Sequence, residues 1–124
     1  MKEILTVAAG GSVGAVARYL LAGGVERALR GSGFPGGTLV VNVVGCLALG
    51  ALLGLTEERL ELSHQARLFL TIGILGSFTT FSTFGYEAVE LLRDGRVALA
   101  AAAVGGNVVL GLAAVVCGRW AVGA

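Results

Sequence analysis

Charged residues are missing from three long stretches of the chain and occur once in a fourth. These stretches are residues 4–25, 36–56, 68–86 and 97–118, and Arg18 is the single charge in the first. An α-helix needs about 20 apolar residues to cross the hydrocarbon core of a bilayer, and each stretch has about that length. The sequence therefore predicts an all-α membrane protein with four transmembrane helices. The predicted spans are residues 4–25, 36–56, 68–92 and 97–119 of a single domain, 1–124.

The low charge content argues against a soluble protein. Charged residues make up 14% of the chain, against about 25% in typical soluble domains. A soluble bundle would need a polar stripe along each helix, and none of the four stretches has one. A signal peptide is an alternative for residues 1–21 because Lys2 precedes an apolar run, but Arg18 and the glycines there favour a retained span. With a net charge of +1, no nucleic-acid partner is expected.

The positive charges near the ends of the spans are shared equally between the two sides of the membrane. One side holds Lys2, Arg59, Arg67 and Arg119, and the other holds Arg27, Arg30, Arg93 and Arg96. An excess of Lys and Arg in cytoplasmic loops normally sets orientation, so a chain without this excess is expected to insert both ways. The simplest closed assembly is then an antiparallel, dual-topology homodimer. Arg18 or the insertion machinery could instead fix one orientation.

Glycines in the first two spans have the spacing that allows close contact between helices. Gly10 and Gly14 form a GxxxG motif in the first span, and Gly50 and Gly54 form another in the second. This spacing places the glycines on one helix face, where two backbones can approach each other. We expect these glycines to have a packing role.

Several polar side chains lie within the spans, where they need hydrogen-bond partners or a water-filled path. They are Arg18, Thr38, Asn42 and Asn107. Thr38 and Asn42 are four residues apart and so project from one helix face. Asn42 is expected either to bond a neighbouring helix or to line a pathway. Arg18 is expected at a vestibule or rim, where its long side chain reaches the membrane interface.

No carboxylate lies in the middle of a predicted span, and no catalytic motif is found in the sequence. Glu87 and Glu90 fall at the end of the third span, whereas proton-coupled transporters generally need an ionisable group inside the membrane. The sequence contains neither an HExxH motif nor a P-loop. His64 lies alone in a connector. The chain is therefore not expected to be an enzyme.

The segment from Ser77 to Phe84 combines five hydroxyl residues with three phenylalanines inside the third span. Gly73, Gly76 and Gly85 bracket it, and its residues are middling or poor helix formers. We expect a break in the third helix, which a membrane protein tolerates only where the freed carbonyls are buried or line a cavity. Such carbonyls commonly hold Na⁺. The neutral donors of the spans and the positive edges of phenylalanine rings better suit a small anion.

Three motifs resemble those of the Fluc fluoride channels, also called the CrcB family. They are "GGSVGAVARY" (10–19), "GTLVVNVVG" (37–45) and "GILGSFTTFSTFGYE" (73–87). The motifs occur in the order of the family, and the four-span layout covers essentially the whole chain. The resemblance implies a dual-topology homodimer in the cell membrane with two antiparallel fluoride pores. It also implies a structural Na⁺ at the dimer centre, held by the main-chain carbonyls of Gly76 and Thr79 from both subunits.

The resemblance also assigns roles to polar and aromatic residues of the spans. Asn107 stands where the family often has a serine, so its role is open. Phe81 and Phe84 could also serve ordinary packing or lipid contact. The implied pore residues are Asn42, Phe81 and Phe84, with Thr83, Thr38 and Asn107 extending the polar track and Arg18 near the entrance.

Passive fluoride export that lowers intracellular fluoride has two alternatives. A small dual-topology exporter of cations or drugs would need a mid-membrane Glu, and the candidates here lie at span ends or in connectors. A membrane assembly factor held together by GxxxG packing would leave the hydroxyl–phenylalanine segment unexplained. The fluoride channel accounts for all of these features.

Overall fold

Helices form nearly all of the chain in the computed structural model, which describes residues 1–123 except for the side chain of Glu58. No strand occurs in the described residues. The elements are α1 (Lys2–Ala28), α2 (Gly36–Glu58), α3 (His64–Arg67), a first π-helical segment (Leu68–Leu75), α4 (Gly76–Phe78), α5 (Phe81–Arg93), α6 (Val97–Gly105), a second π-helical segment (Gly106–Leu110) and α7 (Gly111–Gly123).

These elements combine into four stretches that are long and apolar enough to cross a membrane. The stretches are Lys2–Ala28, Gly36–Glu57, His64–Arg93 and Val97–Gly123. The prediction of an all-α chain with four potential membrane spans is confirmed. The helices continue beyond the uncharged windows because charged residues at the interface can extend a helix into the headgroup region, as Glu3 and Arg27 do at the two ends of α1.

The turn between the third and fourth spans is closed by a glycine in the left-handed region. Gly95 has φ of +73°, which a residue without a Cβ adopts readily. The N–H of Arg96 donates to the Leu91 carbonyl at 2.8 Å, and the N–H of Gly95 donates to the Leu92 carbonyl at 3.1 Å. This is a Schellman arrangement, which satisfies the last carbonyls of α5 and turns the chain directly into α6.

The glycine motifs lie at the closest contacts between helices. A Cβ on Gly10 would lie 2.6 Å from the Phe69 carbonyl oxygen and 2.9 Å from the Gly73 Cα, and a Cβ on Gly54 would lie 2.7 Å from the Arg119 oxygen. A Cβ on Gly50 would clash with the backbone of Val115. The expectation that Gly10, Gly14, Gly50 and Gly54 pack helices is confirmed, since a Cβ on Gly14 would likewise meet the Ile74 carbonyl.

The fourth span packs against different neighbours along its length. Near its start, Ala100 and Ala103 form a small core with Leu91 of α5. Beyond the second π-helical segment, α7 packs along α2, where a Cβ on Gly118 would lie 2.8 Å from the Ala51 nitrogen. A π-helical turn contains extra residues, so this segment changes the face that the helix presents between the two contacts.

Most of the apolar surface of the four spans is not covered by the chain itself. Only 11% to 28% of the most apolar window of each span is buried. Ile4, Leu20, Leu112 and Trp120 are each more than 60% exposed. Helices that are hydrophobic around most of their circumference belong in lipid or in a protein core. The protein is therefore a multi-pass integral membrane protein, as the sequence predicts.

Candidate functional site

Two extended residues separate α4 from α5 in the third span. Thr79 has φ −82° and ψ 157°, and Thr80 has φ −148° and ψ 114°. Extended residues cannot continue the i to i−4 hydrogen bonds of a helix. The peptide groups of this interruption therefore need other partners within an apolar environment.

Asn42 of α2 supplies those partners for Thr80. Its Oδ1 accepts a hydrogen bond from the Thr80 N–H at 2.9 Å, and its Nδ2 donates to the Thr80 carbonyl at 3.1 Å. Thr80 is only 9% exposed, so both main-chain groups are shielded from solvent. One carboxamide thus satisfies the donor and the acceptor of a single residue in the interruption.

Thr80 also begins α5 by capping it. Its Oγ1 accepts from the Thr83 N–H at 3.2 Å and bonds the Thr83 Oγ1 at 3.0 Å. A threonine at this position satisfies one of the N–H groups that the first turn of a helix leaves free. The α5 helix, with its two phenylalanines, therefore starts at a place fixed by Thr80.

A helix that ends leaves its last four carbonyls without helical N–H partners, and the bonds just described account for two of these carbonyls. In a continuous helix the Gly76 carbonyl would accept from the Thr80 N–H and the Thr79 carbonyl from the Thr83 N–H. Here Asn42 accepts from the first donor and the Thr80 side chain accepts from the second. Carbonyl oxygens freed in this way suit a hard cation, so Gly76 and Thr79 fit a cation ligand set that uses main-chain atoms.

A groove of about 370 Å³ runs beside the interruption. Among the described residues, no charged side chain lines it, and its polar side chains are amides, hydroxyls and the thiol of Cys46. The lining residues are Asn42, Gly45, Cys46, Leu49, Thr71, Leu75, Gly76, Thr79, Thr80, Phe81, Phe84, Asn107 and Val108. The structure therefore brings together six of the residues singled out in the sequence: Asn42, Gly76, Thr79, Phe81, Phe84 and Asn107.

The two phenylalanines stand edge to face at the groove. The ring centroids of Phe81 and Phe84 are 5.4 Å apart, and the ring planes meet at 61°. Phe81 is 82% exposed, whereas Phe84 is half-buried. An edge-to-face pair places the positive rim of one ring on the negative face of the other, which holds both rings in a defined orientation.

Asn107, in the second π-helical segment, extends the polar network to the fourth span. Its Oδ1 accepts from Asn42 Nδ2 at 2.8 Å, and its own Nδ2 donates to the Ala103 carbonyl at 2.8 Å. Both amide hydrogens of Asn42 are thereby used, one by Asn107 and one by Thr80. Asn107 uses only one of its two amide hydrogens within the described residues.

Three predicted site residues lie outside the groove lining. Thr38 is 5% exposed and donates to Glu87 Oε1 at 2.9 Å. Thr83 is exposed and bonds Thr80. Arg18 is half-buried on α1, a helix that contributes no residue to the groove lining. The roles proposed for these residues remain predictions.

Sequence reasoning missed two hydrogen-bond partners of predicted site residues, Thr80 of Asn42 and Glu87 of Thr38. Thr80 precedes the first residue of α5, where the preference of helix N-termini for threonine gives a usable signal. Glu87, near the end of the third span, is half-buried in α5 and accepts a hydrogen bond from Thr38. Its position four residues after Thr83 puts both on one face of α5, which was the available signal.

Comparison with known proteins identifies the family. The model of the family described as "CrcB-like protein, Camphor Resistance (CrcB)" matches residues 5–119. A protein of Geobacter sulfurreducens named fluoride-specific ion channel FluC is 49% identical over 98% of this chain and 94% of its own length.

Proteins of the same name from two other organisms are similar to the chain over nearly their full length. The one from Maridesulfovibrio salexigens is 44% identical over 95% of this chain and 93% of its own length. The one from Chloroflexus aurantiacus is 46% identical over 97% and 98%. These relatives are channels by name, so the prediction that the chain is not an enzyme is confirmed. The chain belongs to the CrcB family.

Proposed function

We propose that the protein is a fluoride-selective ion channel through which cytoplasmic fluoride leaves passively down its gradient. The observation that carries the proposal is the uncharged groove beside the interruption of the third span. It combines amide and hydroxyl groups with the edge-to-face pair Phe81 and Phe84. The names of the relatives from three organisms support the same ion.

The chemistry of the groove suits a small anion with a strongly held hydration shell. Neutral N–H and O–H donors replace water without trapping the ion as a fixed positive charge would. Ring edges carry partial positive charge and add weak attraction. The residues assigned to the path are Asn42, Asn107, Phe81 and Phe84, continued by Thr83 and Thr38, with Arg18 at the vestibule. A larger halide gains less from the same donors because its charge is more diffuse.

Acid chemistry gives such a channel a purpose in the cell. Hydrogen fluoride crosses a membrane as a neutral molecule and ionises near neutral pH, so fluoride accumulates inside. A passive pathway lets the anion leave down its gradient and thereby lowers intracellular fluoride. No coupling carboxylate is required for this flux. The channel would lie in the cell membrane, and fluoride resistance of the cell is the expected phenotype.

An antiparallel homodimer is part of the proposal because one chain leaves the groove open at its side. Phe81, at the groove, is 82% exposed. Polar groups at membrane depth need cover from protein or water. A second, oppositely inserted copy would provide that cover. The positive charges at the span ends are equal in number on the two sides of the membrane, which supports insertion both ways.

A structural Na⁺ at the centre of this dimer is also proposed. The carbonyls of Gly76 and Thr79 lose their helical N–H partners to Asn42 and Thr80. Two copies would present four such oxygens. Replacing Na⁺ with a bulky organic cation should then impair fluoride flux or dimer integrity. Unchanged flux and an unchanged dimer would remove Na⁺ from the proposal while leaving the channel itself in place.

Ion efflux from liposomes that contain the purified protein tests the channel. Vesicles loaded with fluoride and chloride should lose fluoride rapidly while they retain chloride. Protein-free vesicles provide the baseline. If the protein-containing vesicles release neither anion, or release both equally, fluoride selectivity is wrong for this chain.

A further inference from the structure

We infer that Asn42 is the positioning residue that keeps Thr80 extended and so maintains the interruption of the third span. In this role the side chain acts on the main chain of the interruption, in addition to lining the groove. The structural part of the inference stands on hydrogen bonds alone. Its consequence for ion flux rests on the function proposed above.

The two bonds between Asn42 and Thr80 resemble those that a neighbouring strand would make to an extended residue. In an antiparallel sheet, a hydrogen-bonded pair of residues exchanges one N–H···O bond in each direction. Asn42 does the same with one carboxamide, accepting at 2.9 Å and donating at 3.1 Å. An unsatisfied peptide group at membrane depth is costly. The Asn42 carboxamide therefore stabilises the extended conformation of Thr80 through both main-chain groups, and the bond to the Thr80 N–H is the one that shields this amide from exchange.

Few side chains other than asparagine can make both bonds from this position. Leucine has a similar shape and makes neither bond. An ionised aspartate accepts from the Thr80 N–H but cannot donate to its carbonyl, and glutamine is longer by one methylene. The Asn107 Oδ1 accepts the second Asn42 amide hydrogen at 2.8 Å. This contact holds the carboxamide from the side of the fourth span.

Two further features depend on the placement of Thr80. Because its N–H is bonded to Asn42, the Gly76 carbonyl does not receive the bond that a continuous helix would give it. Thr80 also caps α5 through Thr83 and immediately precedes Phe81. Asn42 therefore positions both a candidate cation ligand and the start of the helix that carries the ring pair.

The sequence allows Thr80 to be observed without a full resonance assignment. Thr79–Thr80 is the single Thr–Thr pair in the chain. Protein labelled with ¹³C-carbonyl threonine and ¹⁵N-threonine therefore gives one carbonyl–nitrogen cross-peak, which belongs to this peptide bond. Hydrogen exchange of that amide in the full-length protein in lipid reports directly on the Thr80 N–H.

Three variants separate the positioning role from a general loss of structure. In Asn42→Leu, exchange at Thr80 should become at least about tenfold faster, and fluoride flux should fall. In Asn107→Ala, Asn42 loses one partner but can still make both bonds to Thr80, so exchange at Thr80 should rise far less than in Asn42→Leu. In Asn42→Asp, the carboxyl oxygen still accepts from the Thr80 N–H, so exchange should remain much slower than in Asn42→Leu.

The outcomes distinguish this inference from the proposed function. Exchange at Thr80 that is unchanged in a folded Asn42→Leu protein overturns the positioning role, whatever the flux. If Asn42→Leu does not fold, rapid exchange at Thr80 in a folded Asn42→Asp protein overturns it instead. If the wild type conducts no fluoride but Thr80 exchange follows the predicted order, the positioning role stands and the proposed function fails.

Discussion

Hydroxyl groups in the third span bond mainly to the helix that carries them. Ser77 Oγ donates to the carbonyls of Gly73 and Ile74 at 2.7 and 3.1 Å, and Thr79 Oγ1 donates to the Leu75 carbonyl at 3.1 Å. Such local bonds compete with regular helix geometry, which helps the helix to end at Phe78. The donors that remain for an ion in the groove are therefore fewer than the composition suggests, which raises the importance of Asn107 and the ring edges.

Replacing either phenylalanine of the ring pair tests the contribution of those edges. Phe81→Ile and Phe84→Ile keep an apolar side chain but remove the aromatic quadrupole and the edge-to-face contact. Fluoride flux in liposomes should fall by roughly three- to tenfold in each variant, with the oligomer unchanged by size-exclusion chromatography. Phe34→Ile, at the connector between the first two spans, is the control. If all three variants conduct fluoride as fast as the wild type, the two rings serve only in packing.

Thr38→Val tests the bond between the second span and Glu87. Thr38 is 5% exposed and donates to Glu87 Oε1 at 2.9 Å, so valine leaves a half-buried carboxyl group without this donor. The loss should be about 1 to 3 kcal/mol of stability, measured as a lower Tm of the purified protein. Thr56→Val is the matched control, because among the described residues Thr56 bonds the Leu53 carbonyl of its own helix, and it should change stability by less than about 0.5 kcal/mol.

At the scale of elements, the sequence marks part of the third span as weakly helical but does not mark the π-helical segments. Glycines, hydroxyls and phenylalanines in one apolar run predicted a break in residues 77–84. Nothing comparable marks Leu68–Leu75 or Gly106–Leu110. Extra residues in a helical turn are stabilised by contacts with neighbouring helices, such as Gly73 on Gly10, and these contacts have no local signature. For the same reason, a bond from Asn42 to a neighbouring helix could be stated only as one of two alternatives, and its partner Thr80 could not be named.

Close packing of α1 on the third span predicts a sharp difference between two glycines of the same helix. In Gly10→Ala, the new methyl group would lie 2.6 Å from the Phe69 carbonyl oxygen, whereas nothing lies within 4 Å of a Cβ on Gly24. Gly10→Ala should therefore lower the free energy of unfolding by about 1 to 3 kcal/mol. Gly24→Ala should be neutral or slightly stabilising because alanine favours helix. Chemical denaturation in detergent provides the measurement, and equal stability of the two variants would contradict the packing.

At the scale of the whole molecule, the distribution of charge along the sequence predicts the number of spans and their exposure to lipid. Four charge-poor windows gave the number of spans because a bilayer sets both the length and the polarity of a helix that crosses it. The pairing of those spans was beyond reach. Which helix lies against which depends on the fit of small residues, as in α2 against α7, and many glycines in this chain could have served.

Changing the balance of positive charge tests dual insertion. Glu61→Lys adds a positive charge to the side of the N-terminus, and Asp94→Lys adds one to the opposite side; both residues are exposed. Each variant should favour one orientation of a C-terminal tag in labelling of intact cells, and the two should favour opposite orientations. Each alone should lose fluoride resistance, and co-expression of both should restore it. Full resistance from a singly oriented variant would rule out the antiparallel dimer.

The link between Asn42 and Asn107 has a thermodynamic consequence. Asn42 of the second span donates one hydrogen bond to Asn107 of the fourth span and another to Thr80 of the third. Three spans therefore meet at one carboxamide group. Energies measured at these two positions will not add: a double-mutant cycle should yield a coupling of about 0.5 to 3 kcal/mol. A substitution at either position therefore changes the energetic cost of a substitution at the other.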